Sequence, residues 1–231
     1  MPSRSKLLRR GPLLAAIVVA LAMGSTLAWA SAPISTSPTC CTYSAPTFTI
    51  DQGELASFEN TSLPSDAHNV VASKGGPDGR PLFSSAETLQ GSTPVNGTQY
   101  LSTGSYHFVC TIHPGMEADL QVSSNGTPVA RPQISLKILS TSIRKVANSG
   151  KLKVKVTAVT AGKGITVTAK KGSKTLTKAA KLDLDAGASR TVSLGLTSIG
   201  KQALKNADKA KVVATGTLDF GSDARAKRTL K

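Results

Sequence analysis

The chain has 231 residues, 39% of them hydrophobic and only 4% aromatic, and a net charge of +15. That length allows one large or two small domains, and that composition suits cores of Val, Ile, Leu and Ala and excludes a disordered chain. The charge is divided: residues 31–130 carry two basic and eight acidic residues, a net −6, whereas residues 131–231 carry 22 basic and five acidic, a net +17, so an acidic module precedes a basic one.

Residues 1–30 read as a signal peptide. MPSRSKLLRR is the basic start, GPLLAAIVVALAMG the apolar stretch and Ala28-Trp29-Ala30 the small-residue cleavage motif. The apolar stretch is shorter than the roughly 20 residues of a membrane span, and no second one follows. The mature chain is therefore expected to be soluble and exported: secreted, periplasmic or associated with the cell envelope, where disulfides form.

Residues 31–46 are a Ser/Pro/Thr-rich leader that contains the adjacent pair Cys40-Cys41. Thr47–Ile50 and Glu54–Asn60 alternate apolar and polar positions about the turn Asp51-Gln52-Gly53, the pattern of half-buried strands. HNVVA (68–72) is a further strand, and SKGGPDGRPL (73–82) a loop by its Gly and Pro content. Tyr100–Leu101, Ser105–Cys110 and Glu117–Val122 read as later strands. No helical period interrupts residues 47–123, so this segment is expected to be an all-β Greek-key sandwich.

SSNGTPVARP is a linker by its polar, Gly- and Pro-containing composition, and the boundary between the domains is placed at residues 124–132. Residues 133–231 then read as a second, immunoglobulin-like β-sandwich with strands at Ile134–Leu139, Lys151–Val159, Gly164–Lys170, Arg190–Leu196 and Ala210–Phe220. Thr197–Ala207 is the one expected helix, capped by Thr197 or Ser198. This module has no Cys, His, Trp or Tyr, which leaves it little with which to do chemistry.

Chemistry concentrates in GSYHFVCTIHPGMEADLQV (104–122). The chain has three Cys, three His and three Met, and one of each falls within seven residues as Cys110, His113 and Met116. Side chains 106, 108 and 110 share one strand face; Tyr106 and Phe108 mark it as the core face, so Cys110 points inward at the strand end. Turns at Thr111-Ile112 and Pro114-Gly115 bring His113 and Met116 round to it. His68, at the head of its own strand, supplies a fourth group. Two imidazoles and a thiolate in a plane with a weak axial thioether form the donor set of an electron-transferring copper centre. Cu(I) favours sulfur and Cu(II) nitrogen, so a rigid mixed set serves both oxidation states with little rearrangement.

These segments resemble the cupredoxins, the plastocyanin- and amicyanin-like blue copper proteins. GELASFEN is similar to the family's Gly-x-x-Val-x-Phe-x-Asn strand, DAHNVV to its first-ligand strand, and GSYHFVCTIHPGM to its ligand loop with the short His-x-x-Met spacing. Ile112 stands where the family often has Pro. The resemblance implies an eight-stranded sandwich holding one type 1 copper, with His68, Cys110 and His113 equatorial and Met116 axial. It implies that Asn69 ties the first-ligand strand to the cysteine loop, and that His113 is the surface port through which the electron leaves.

Other chemistries fail on counting. Three histidines are too few for a trinuclear copper cluster, one loop cysteine cannot bridge two coppers, and zinc sites rarely use thioether sulfur. Cys110 faces the core rather than a cleft, so no nucleophilic enzyme is expected and no catalytic residue is assigned. His107 alternates to the solvent face. For Cys40 and Cys41, a vicinal disulfide, pairing with another chain and free thiols all stay open.

The basic module lacks the interleaved aromatics of a nucleic-acid surface, so no nucleic-acid partner is expected. Its lysines suit either a solvated face or attachment to anionic cell-envelope polymers. The reading as a whole is an exported type 1 copper protein that carries single electrons between a donor and an acceptor in or near the membrane. The alternative is a copper-buffering or wall-attached binding protein without dedicated electron transfer.

Overall fold

The computed structural model describes residues 33–205 and 207–231; the signal-peptide reading of residues 1–30 lies outside them. In the first module the strands are β1 (Ile34–Ser35), β2 (Thr47–Gln52), β3 (Ser57–Asn60), β4 (Val71–Ala72), β5 (Gly91–Pro94), β6 (Gly104–Val109) and β7 (Glu117–Gly126). They form two sheets, β1-β3-β5 and β2-β7-β6-β4. Ile34, Phe58, Val70, Phe83, Val95, Phe108 and Leu120 lie between the sheets with no exposed surface. The alternation that marks the strands in sequence is the alternation that fills this core: in TFTI only Phe48 and Ile50 point inward.

Two differences from the expected layout matter. Residues 34–46 are not a leader outside the sandwich. β1 pairs parallel with β3, Ile34 opposite Phe58, and a hairpin follows in which Thr36 bridges Tyr43. Buried Ile34 and Tyr43 draw this Ser/Thr-rich stretch into the core. Tyr100–Leu101 is not a strand but the end of a 3-10 turn, Thr98–Tyr100. Thr98 is fully buried there and its hydroxyl donates to the Val95 carbonyl, 3.0 Å away, closing the turn locally. Seven strands are described in this module, against the eight that the family resemblance implies.

The second module contains β8 (Ile134–Ile138), α1 (Ile143–Ser149), β9 (Lys151–Ala158), β10 (Gly162–Lys171), β11 (Lys174–Thr175), β12 (Ala180–Leu184), β13 (Ser189–Gly195), α2 (Ser198–Lys205), β14 (Ala210–Thr217) and β15 (Ala224–Leu230). Sheet β13-β9-β8 faces sheet β11-β10-β14-β15, in which β12 also pairs with β10. A single core of Val154, Val156, Ile165, Val167, Val212 and their neighbours fills the gap. Thr197 caps α2, its Oγ1 accepting from the Gly200 amide at 2.9 Å. Helix α1 is an addition to the expected elements, capped by Ser142 and ended by Gly150 at φ +65°.

β7 carries the chain away from Met116 over ten residues to Gly126, so the linker leaves the end of the sandwich opposite the ligand loop. There the modules touch. Arg80 pairs with Asp219, the Phe220 amide donates to Asp78 Oδ2 at 3.0 Å, and the Phe220 ring lies 6.3 Å from that of Tyr100. Among the described residues no helix is long and apolar enough to cross a membrane.

Candidate metal centre

β6 ends at Val109, and Cys110 continues its inward parity at 4% exposure. The next six residues form a closed loop. The Met116 amide donates to the His113 carbonyl (3.2 Å), and the Cys110 amide to the Met116 carbonyl (2.9 Å). Gly115 makes the return possible, with φ at +80°, a conformation that costs other residues about 1–2 kcal/mol. The loop delivers His113 half-buried at the surface and folds Met116 back to 1% exposure in the core, beside Cys110.

His68 reaches the same point from outside any strand: of the expected strand 68–72 only Val71–Ala72 pairs, as β4, and His68 sits in an isolated bridge to Thr88. Its amide and carbonyl both bond to Thr88, at 3.1 and 2.9 Å. Asn60 holds that corner in turn: its buried side-chain amide lies 2.7 Å from the carbonyls of Asp66 and Thr88 and 2.8 Å from that of Leu89. Asn69 is bonded to Thr111 through both polar atoms of its side chain. Its Oδ1 accepts from the Thr111 amide at 2.9 Å, and its Nδ2 donates to the Thr111 hydroxyl at 2.8 Å, so the segment that carries His68 is clasped to the cysteine loop.

The result is a triangle of donors. Nδ1 of His68 lies 3.9 Å from Cys110 Sγ, and Nδ1 of His113 lies 3.7 Å from it; the three ligand atoms fall within 4.8 Å of one another. Three donors bonded to one ion in a plane, at metal–nitrogen and metal–sulfur lengths of about 2.0–2.3 Å, stand about 3.6 Å apart. The observed gaps are too long for strong hydrogen bonds and right for a shared ion. The imidazole of His68 is wholly buried with its Nδ1 turned toward Cys110, while its Nε2 has no hydrogen-bond partner among the described residues. Burial first, and the neighbouring His113 second, lower its pKa below the ordinary 6.5, with Asp66 opposing. The ring is thereby kept neutral, the form that offers a lone pair to a metal.

Two contributors escape the sequence reading. Tyr43 donates its hydroxyl to the Asn69 carbonyl at 2.7 Å and sets its ring edge-on to Phe108. Burial, with the Cys110 charge adding, raises its pKa, so the phenol stays a neutral donor. Asn60 lay in plain view at the end of GELASFEN. His107 stands apart, exposed, 3.2 Å from Asp119 and 3.5 Å from Glu117. Cys40 and Cys41 are joined as a vicinal disulfide.

Residues 34–123 match the profile of the copper binding proteins of the plastocyanin/azurin family. Among solved structures, a reduced single-substitution variant of amicyanin is 19% identical over 41% of this chain and 83% of its own, with a TM-score of 0.33. Auracyanin A, a blue copper protein from the green thermophilic photosynthetic bacterium Chloroflexus aurantiacus, is 18% identical over 42% of this chain and 100% of its own, with a TM-score of 0.35. No curated protein matches the chain.

Proposed function

From the premise that residues 34–123 form a copper-binding domain of the plastocyanin/azurin family, a cupredoxin, we propose that this is an exported electron carrier with one type 1 copper. His68, Cys110 and His113 would hold the ion, with the buried Met116 thioether as a fourth donor. The observation that carries the reading is the triangle of the two Nδ1 atoms and the Cys110 sulfur, backed by a buried thioether. Copper supplies the one-electron couple. The protein supplies a site that cannot rearrange: the Asn69–Thr111 clasp, the loop closed on itself between Cys110 and Met116, and Thr88 pinned by Asn60. Low rearrangement is what an electron carrier needs and what a copper store does not. His113 is the ligand nearest solvent, which makes it the port to a donor or acceptor protein.

The second module is read as an immunoglobulin-like sandwich that attaches the carrier to anionic envelope polymers. Lys151, Lys153 and Lys155 alternate outward along β9, and Lys137 on β8 sits directly opposite Lys155. Like charges in a cross-strand pair are destabilising, and the paired strands β8, β9 and β13 contain no acidic residue to relieve them. An anionic ligand would relieve the repulsion.

One Cu(II) ion added to residues 31–231 should give an intense thiolate-to-copper band and narrow copper hyperfine splitting by EPR. A pale protein with an ordinary copper signal would refute the site. Retention on teichoic-acid-like polyphosphate should fall steeply with salt and fall again on replacing Lys137 and Lys155 with Glu. Salt-independent retention would refute the attachment.

A further inference from the structure

The disulfide of Cys40 and Cys41 needs a function, because its cross-linking value is negligible. A disulfide stabilises chiefly by closing a long loop in the unfolded chain, and this one joins neighbours. Nor does it fill the core. It sits at the tip of the hairpin whose stem is set by the Thr36–Tyr43 bridge and by the Ser37 amide donating to the Thr42 carbonyl at 2.9 Å. The stem is fixed by buried Tyr43, while Cys41 at the tip is exposed and held at φ +80°. Such a conformation in a residue other than Gly is strained, and strain of this kind gathers where a segment has two states.

The tip is aimed. Both sulfurs and a ring nitrogen of His113 lie within 4.8 Å of one another. All three cysteines of the chain therefore have their sulfur beside the same imidazole, Cys110 from within and the pair from without. A closed disulfide is a poor ligand. Two thiolates and an imidazole are a soft donor set that selects Cu(I) over the harder ions.

We propose that the Cys40–Cys41 pair, once reduced, forms with His113 an outer Cu(I) site that receives the metal and passes it to the Cys110 side. The proposal rests on the reading of Cys110 and His113 as inner ligands. Opening the pair takes a dithiol reductant: two electrons and two protons pass to Cys40 and Cys41, and the reductant leaves as its own disulfide. Cu(I) then binds with loss of the two thiol protons to solvent, and no electron moves. Transfer exchanges these thiolates for the Cys110 thiolate and the His68 imidazole, with His113 common to both sites. Cys110 gives up its proton to solvent, and Cys40 and Cys41 each take one back from solvent, a net uptake of one proton.

The test isolates the outer site. Cys110→Ser, carried as the full mature chain and reduced under nitrogen with a phosphine, is titrated with Cu(I) against a coloured Cu(I) chelator. It should bind one Cu(I) ion, roughly a hundredfold more tightly than its disulfide form, and His113→Ala in that background should weaken binding at least about tenfold. Equal affinity in the open and closed forms, or no effect of His113→Ala, overturns the proposal. A second variant guards against misfolding of the first. Cys40→Ser with Cys41→Ser should take up Cu(II) and turn blue as the parent does, yet load from a Cu(I)–thiol complex about tenfold more slowly than the reduced parent. Equal loading rates overturn the outer site and leave the inner one standing. Loss of the blue centre in both the parent and this variant overturns the inner reading instead.

Discussion

Replacing Asn69 with Ala tests the clasp directly. The side chain makes two hydrogen bonds to Thr111, at 2.8 and 2.9 Å, and each contributes about 0.5–1.5 kcal/mol net. One of them satisfies the Thr111 amide, and leaving such a donor unpaired adds to the loss, so we expect about 2–3 kcal/mol in total. Thr111→Ala removes only the hydroxyl contact and keeps the amide bond, for about 1 kcal/mol. The double variant should then show coupling of about 1 kcal/mol, because the two share that contact. The assay is urea unfolding of the copper-free chain, residues 31–231, followed by tyrosine fluorescence. All three tyrosines, at 43, 100 and 106, belong to the first module, and the single Trp, Trp29, precedes residue 31, so the signal reports this module alone. A cost for Asn69→Ala below about 0.5 kcal/mol, or strict additivity with Thr111→Ala, would refute the clasp.

The lowered pKa of His68 fixes a sign: between its folded value and the ordinary 6.5 the unfolded chain binds more protons, so copper-free stability rises with pH across that window and is level above it. Urea midpoints measured through that range should show the slope, and His68→Gln should flatten it. Cys110→Ser should remove the intense visible band outright. Met116→Leu should keep copper and raise the reduction potential by voltammetry, at a structural cost below about 1.5 kcal/mol because the volumes nearly match. Gly97→Ala should part the two modules: its φ is +103°, and a methyl there would stand 2.4 Å from the Leu82 carbonyl oxygen and 2.8 Å from the Phe220 ring. Strain of this kind costs about 1–3 kcal/mol, and faster proteolysis of the linker is the readout.

The candidate site was legible because its signals are local. Cys110, His113 and Met116 share one loop, strand parity gave Cys110 its inward direction, and His68-Asn69 stood at the head of an apolar strand. What stayed hidden depends on distant contacts. Nothing in the Ser/Thr-rich stretch 33–46 alternates strongly enough to mark a strand. β1 has only two residues, and its stability comes from Ile34 and Tyr43 meeting a core assembled from elsewhere. Missing that segment also hid Tyr43 behind Asn69 and the disulfide beside His113. Helix α1 has only seven residues with two buried, too few for a helical period to emerge. Its Ser142 and Gly150 were visible, and capping residues so close together read equally well as a turn.

The ten residues of β7 separate the ligand loop from the basic module. At about 3.3 Å per residue that is roughly 30 Å of strand, and electron tunnelling decays exponentially over such a span. A carboxylate-coated electrode would therefore take hold of this protein by its lysines and record almost no current. The grip is not the contact. Under the function proposed above, whatever the lysines hold is not what the metal centre exchanges electrons with, and current flows only when a second body arrives from solution at the opposite pole.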